Sequence, residues 1–164
     1  MKNILLLLLI MASTSSMAQD GKASTIRKTF HRSTTISQLI QSDAATIWHL
    51  LTDAANYPDW NSTVVSIEGD IAAGNKIKLK STLDPSRTFK LKVKEFVPGQ
   101  KLVWGDGMGK RTYTLEEGKD GTRFVMHEKI GGPFFPLFAN KIPSFDESFE
   151  KFTADLKRKA EAMK

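Results

Sequence analysis

No cysteine occurs among the 164 residues. That excludes a disulfide framework, a thiolate nucleophile, Cys-ligated zinc or iron–sulfur centres, and the modified cysteine of a lipoprotein anchor. Histidine is nearly as scarce. His31, His49 and His127 are too scattered for HxH or HExxH, and carboxylates at ligand spacing are missing, so neither a metal nor a cofactor is expected. There is no GxSxG elbow for a nucleophilic serine. The glycine-rich stretch Gly105 to Gly109 lies between two predicted strands and does not open a helix, so it is no phosphate cradle. No catalytic residue is therefore assigned.

What is present has the balance of one globular domain: 40% hydrophobic and 26% charged residues, with a net charge of +6. A basic chain raises the question of nucleic acid. Its aromatic residues, however, fall on predicted inner faces and its basic residues outside, without the exposed stacking platform of single-strand binders, so nucleic acid is excluded as a partner.

The N-terminus carries an export pattern: Lys2, the apolar run Ile4 to Met11, and Ser16-Met17-Ala18 before Gln19. The run is too short for the roughly 20 residues of a membrane span. Residues 1–19 are thus read as a cleaved signal peptide, leaving a periplasmic or secreted protein with no transmembrane segment. Residues 20–33, polar and basic with only Ile26 and Phe30 as large apolar side chains, read as a leader, and 34–164 as the domain.

Within that domain, Thr34 to Gln41 reads as a strand. Ser42 then suits the N-cap of a helix with Asp43 in its first turn and Ile47, Leu50 and Leu51 on one face. Asn56 to Asn61, with Pro58, allows only a short second helix or turn. Period-two segments follow at Val64 to Glu68, Lys76 to Ser81, Thr88 to Phe96, Lys101 to Gly105, Arg111 to Glu116 and Thr122 to Ile130, separated by Gly, Asp, Asn and Pro turns. Short connections imply antiparallel neighbours. The chain closes with an amphipathic helix whose stripe is Phe145, Phe149, Phe152, Leu156, Ala160 and Met163, started by a Ser144/Glu147 capping box.

Register follows from the turns. Leu115 opposite Phe124, Tyr113 opposite Met126 and Arg111 opposite Glu128 would all face inward, placing an ion pair at one end of an apolar surface. Either it is a structural pair at the rim or it touches a ligand, and both readings stay open at this stage. The preceding hairpin pairs Leu79 with Leu91 and Ile77 with Val93 inside. Outside, Lys80 faces Lys90, Lys78 faces Lys92 and Lys76 faces Lys94, a lysine face that either keeps the sheet soluble or meets an anionic surface.

The order of these elements, together with IWHLLTDAANYPDWNSTVVSIEG at Ile47 to Gly69, KLVWG at Lys101 to Gly105, GTRFVMHEKIGG at Gly121 to Gly132 and the terminal FEKFTADLKRKAEAM, resembles the SRPBCC superfamily. START lipid-transfer domains and the polyketide cyclase/dehydrase and lipid-transport families share its helix-grip fold. Tyr57, Trp60, Asn61, Glu128 and Gly131 match small bacterial members more closely. The resemblance implies an α+β helix-grip fold: a seven-stranded antiparallel sheet curled around the long C-terminal helix, with two short helices after the first strand. It also implies a cavity for an apolar small molecule or lipid. Its candidate lining from the strands is Leu79, Phe89, Leu91, Val93, Trp104, Tyr113, Phe124 and Met126, with Arg111 and Glu128 as polar groups. Phe145, Phe149 and Phe152 would line it from the helix. Pro133 to Phe138 is apolar and too Pro-rich for a stable helix, and reads as a lid or as packing beneath the helix. The implied function is a hydrophobic-ligand carrier. The alternatives are a cyclase- or dehydratase-type enzyme using the same polar residues, or a partner-binding module using the lysine face.

Overall fold

The computed structural model describes residues 19–163, so the predicted signal segment lies outside the described residues except for Gln19. The chain runs β1 (Ser24–Lys28), β2 (His31–Ile40), α1 (Ala44–Thr52), α2 (Tyr57–Trp60), β3 (Val64–Glu68), β4 (Lys76–Ser81), β5 (Asp84–Val97), β6 (Lys101–Gly105), β7 (Gly109–Gly118), β8 (Gly121–Gly131), α3 (Phe135–Phe138), a single 3₁₀ turn (Ala139–Lys141) and α4 (Asp146–Glu161). The strands form one antiparallel sheet in the order β1-β2-β8-β7-β6-β5-β4-β3. No helix among the described residues is long and apolar enough to cross a membrane.

The sheet grips α4 because each has one apolar side. Phe149, Phe152, Leu156 and Ala160 of α4 are buried against Ile36 and Ile40 of β2, Tyr113 and Leu115 of β7, and Phe124 and Met126 of β8. Burying each large side chain contributes roughly 1.5–3 kcal/mol. Polar bonds fix the helix axially. Asp155 accepts from the Ser62 amide at 2.8 Å and its hydroxyl at 2.6 Å, while the Asn61 side chain donates to the Phe152 carbonyl at 3.3 Å. The β7–β8 turn needs glycine at position 121: φ is +122°, and a Cβ there would lie 2.3 Å from the Ile40 carbonyl oxygen.

The sheet has eight strands where seven were expected. The polar leader supplies the extra one, since β1 pairs with β2 along its full length and Thr25 donates to Asp146 of α4 at 2.5 Å. Both faces of β1 are largely exposed, so it carries no apolar alternation for a sequence reading to find.

Both helix starts also differ from expectation. Asp43, not Ser42, caps α1 by accepting from the Thr46 amide at 2.7 Å, while the buried Ser42 offers its carbonyl to Thr122. No capping box opens α4. Glu147 reaches forward to Lys151 at 2.7 Å, and the Ser144 hydroxyl is taken up with Asp146.

Candidate functional site

Opposed residues across antiparallel strands share a face, so the inner surface of the sheet can be read as rows. One row runs Leu102, Tyr113, Met126, Ile36 through β6, β7, β8 and β2, and it is wholly buried. The next row toward the N-terminal end of α4 runs Trp104, Arg111, Glu128, Thr34 and on to Thr25 in β1. The interior therefore changes from apolar to polar within one row, and at that boundary a cavity opens.

The cavity measures about 400 Å³, within the range of small-molecule sites. Trp104, Arg111 and Glu128 form its inner wall, and Leu79, Phe89 and Leu91 its side. Phe138, Ile142 and Phe145 close it from the approach to α4, while Gly105 to Lys110 and Ile130 complete the far edge. The side wall exists because β6 pairs with β5 only over Lys92 to Val97, so the β4–β5 hairpin overhangs beyond the end of β6. The same free edge tolerates Pro85 at the start of β5.

Arg111 Nε donates to Glu128 Oε2 at 2.5 Å, with the two side chains 22% and 14% exposed, and the guanidinium lies 5.0 Å from the centre of the Phe149 ring. Burial is the largest single influence and works to lower the Arg111 pKa, but the Glu128 carboxylate and the Tyr113 oxygen together outweigh it and hold the guanidinium charged above its ordinary value. Burial pushes Tyr113 up to about 12 against the opposing pull of Arg111, so it remains a neutral phenol. Its hydroxyl is buried beside Arg111 but makes no hydrogen bond of good geometry among the described residues.

Of the thirteen residues proposed as lining, Leu79, Phe89, Leu91, Trp104, Arg111, Glu128 and Phe145 border the cavity. Val93, Tyr113, Phe124, Met126, Phe149 and Phe152 do not. They form the solid floor, in which Tyr113 stacks on Phe124 at 6.0 Å and on Phe152 at 5.8 Å. All six are buried, and the aromatic side chains of α4 pack directly on those of the sheet, so no space is left between them. The sequence reading missed Leu83, Arg87, Met108, Ile130, Lys141 and Ile142. Arg87 and Ile130 continue the inward alternation of Phe89 and Leu91 in β5 and of Met126 and Glu128 in β8, a signal available in the sequence, whereas Leu83, Met108, Lys141 and Ile142 lie in turns and connections, where periodicity carries none.

The last hairpin has the expected register, with Arg111, Tyr113 and Leu115 opposite Glu128, Met126 and Phe124. The β4–β5 hairpin is shifted by two residues. Ile77 faces Leu91, Leu79 faces Phe89, Lys76 faces Lys92 and Lys78 faces Lys90, because the chain turns at Thr82 and Leu83, before Asp84-Pro85. A two-residue shift preserves the faces, so the lysines still point outward. Lys80 instead pairs with Ser66, Lys78 binds Glu68 at 3.0 Å, and Lys94 donates to the Asp106 carbonyl. Within the apolar Pro133 to Phe138 segment, Phe135–Phe138 is helical where no stable helix was expected, since Pro136 falls in the first turn of α3, where a missing N–H costs nothing.

A family model described as polyketide cyclase / dehydrase and lipid transport matches residues 31–161. No curated protein matches the chain. Among solved structures, a conserved protein of unknown function from Enterococcus faecalis is 16% identical, with a TM-score of 0.61 over 84% of this chain and 75% of its own. A Rhodobacter sphaeroides protein is 17% identical, with a TM-score of 0.62 over 86% of this chain and 99% of its own. DynU16, from the dynemicin biosynthetic locus, is 16% identical, with a TM-score of 0.61 over 79% of this chain and 47% of its own. At such identities the likeness is one of fold.

Proposed function

The chain belongs to the polyketide cyclase/dehydrase and lipid transport family, and from that premise we propose that it is a noncatalytic carrier of a hydrophobic small molecule or lipid. The observation that carries this reading is the cavity of about 400 Å³, whose walls are mainly apolar and whose inner charged groups are already bonded to each other. Such a site captures a ligand chiefly by removing apolar surface from water, and the Arg111–Glu128 pair orients a polar head at its inner end. The N-terminal pattern Lys2, Ile4 to Met11 and Ser16-Met17-Ala18 supports action outside the cytoplasm, in a periplasm or the exterior. The lysine face of β4 and β5 is best understood as a solubilising outer face, since Lys78 is taken up by Glu68.

A cyclase or dehydratase would need a free proton-transfer group at the ligand. Glu128 is engaged by Arg111, and Tyr113 stays protonated behind the cavity wall. The carrier reading is tested by extracting the natively expressed protein and identifying what it holds by mass spectrometry. One class of apolar molecule in near-stoichiometric amount is expected. Protein that emerges empty and takes up no fluorescent fatty acid counts against it. Glu128→Gln should leave the bound molecule in place, whereas its chemical conversion by wild type but not by the variant would favour an enzyme.

A further inference from the structure

Large apolar side chains stand out from one end of the molecule. Leu137 is 79% exposed, Phe134 73%, Phe30 57% and Met108 45%. They come from separate parts of the chain that backbone bonds bring together. The Gly132 amide donates to the Phe30 carbonyl at 2.9 Å, and the Gly131 amide donates to the Met108 carbonyl at 3.0 Å. The β1–β2 turn, the β6–β7 turn and the entry to α3 therefore form one edge. Within α3 the sides are sorted: Phe135 is buried and meets Phe138 at 5.6 Å, and Phe138 borders the cavity, which leaves Phe134 and Leu137 facing water.

The charge at this edge has one dominant sign. Lys28 flanks Phe30 opposite His31, Lys110 and Lys129 stand opposite one another beside Met108, and Lys141 follows α3, all of them exposed. The segments 28–32, 107–111 and 129–141 contain no acidic residue. Asp106 lies just outside them and spends its carboxylate on the amides of Met108 and Gly109.

We propose that this edge docks the protein on an anionic lipid bilayer, with Phe134, Leu137, Phe30 and Met108 entering the headgroup region and the lysines lying over its negative surface. Protruding apolar side chains ringed by lysine are the chemistry of interfacial membrane binding. A second copy fits poorly, because a two-fold contact would set Lys28, Lys129 and Lys141 near their own counterparts. Docked this way, the protein presents the cavity wall formed by Met108, Phe138 and Lys141 to the membrane. The proposal does not depend on what the cavity holds.

The test is cosedimentation with phosphatidylcholine vesicles, with and without phosphatidylglycerol. Wild type is expected to partition onto the phosphatidylglycerol vesicles, less so as salt rises. F134A/L137A should weaken that partition on the order of tenfold or more while keeping the wild-type melting temperature. K28Q/K129Q should weaken it on anionic vesicles alone. The proposal is overturned if wild type stays in the supernatant with both vesicle types, or if F134A/L137A binds as wild type does. It also fails if light scattering shows a dimer that F134A/L137A returns to monomer, or if binding follows K76Q/K92Q on the lysine face instead. Should F134A/L137A melt early, the response of K28Q/K129Q decides between these outcomes.

Discussion

Arg111 of β7 and Glu128 of β8 stand directly opposite one another and join at 2.5 Å on the inner face of the sheet, at the row where the interior turns from apolar to polar. Neither has another ion-pair partner among the described residues, so removing one leaves the other charged in a largely dry wall. Arg111→Met or Glu128→Leu alone is expected to destabilise the fold by roughly 2–3 kcal/mol, below the range for fully buried pairs because both side chains retain some exposure. The double replacement should recover most of that loss, since two apolar groups leave no orphan charge. Urea denaturation of the four proteins measures the coupling. Additive single losses would show that the pair is not held as described.

Tyr113 gives a prediction of the opposite sign. Its hydroxyl is buried beside the Arg111 guanidinium but makes no hydrogen bond of good geometry among the described residues, an arrangement that costs free energy. Tyr113→Phe keeps the stacking on Phe124 and Phe152 and is expected to leave stability unchanged or raise it by about 1 kcal/mol. Thermal unfolding reads this directly. A loss of more than about 1 kcal/mol would mean that the hydroxyl has a partner that stabilises the fold.

The sequence was most informative where turn length and strand alternation act together. The β7–β8 hairpin has a short turn between two long period-two strands, which fixes the opposition of Arg111 and Glu128 from local pattern alone. In the β4–β5 hairpin, Asp84 and Pro85 resemble a turn but begin a strand along an edge that β6 does not reach, so the register moved while the faces survived. The cavity wall was half legible. Periodicity tells which way Phe124 of β8 and Phe152 of α4 face, but only how closely α4 lies on the sheet, with the two rings stacked at 6.4 Å, tells that the space between them is filled. Ile142 and Phe138 join the wall because Arg32 is buried and donates to the carbonyls of Ile142 and Pro143, a long-range bond with no local signature.

His127 on the outer face of β8 bonds through Nδ1 to Thr35 at 2.8 Å. Burial, reinforced by Lys110, holds its pKa below the ordinary 6.5. As pH falls below 6.5 the unfolded chain takes up a proton that the native imidazole still refuses, so stability drops until the lower native pKa is passed. Above 6.5 neither state is protonated and the penalty vanishes. His127→Gln should therefore flatten the fall in melting temperature over that acidic window and leave the neutral-pH dependence unchanged. A decline equally steep in the variant would assign the acid sensitivity to other groups.

Leu91 offers the sharpest distinction between an open cavity and a core that tolerates a void. It borders the cavity from β5, opposite Ile77, and is only partly buried. An indole at this position can extend into the space of about 400 Å³ without displacing the floor formed by Tyr113, Phe124 and Phe152. Leu91→Trp is therefore expected to change stability by no more than about 1 kcal/mol, where the same enlargement in a close-packed core costs roughly 1–3 kcal/mol. It should also remove most of the copurifying apolar molecule, because the added ring occupies the volume a ligand needs. Stability and ligand content must be measured on the same preparation. Retained stability with lost ligand identifies this cavity as the binding site. Unchanged ligand content in a stable variant would place the molecule elsewhere, and marked destabilisation would mean that the space is closed in solution by movement of the β4–β5 hairpin toward α4.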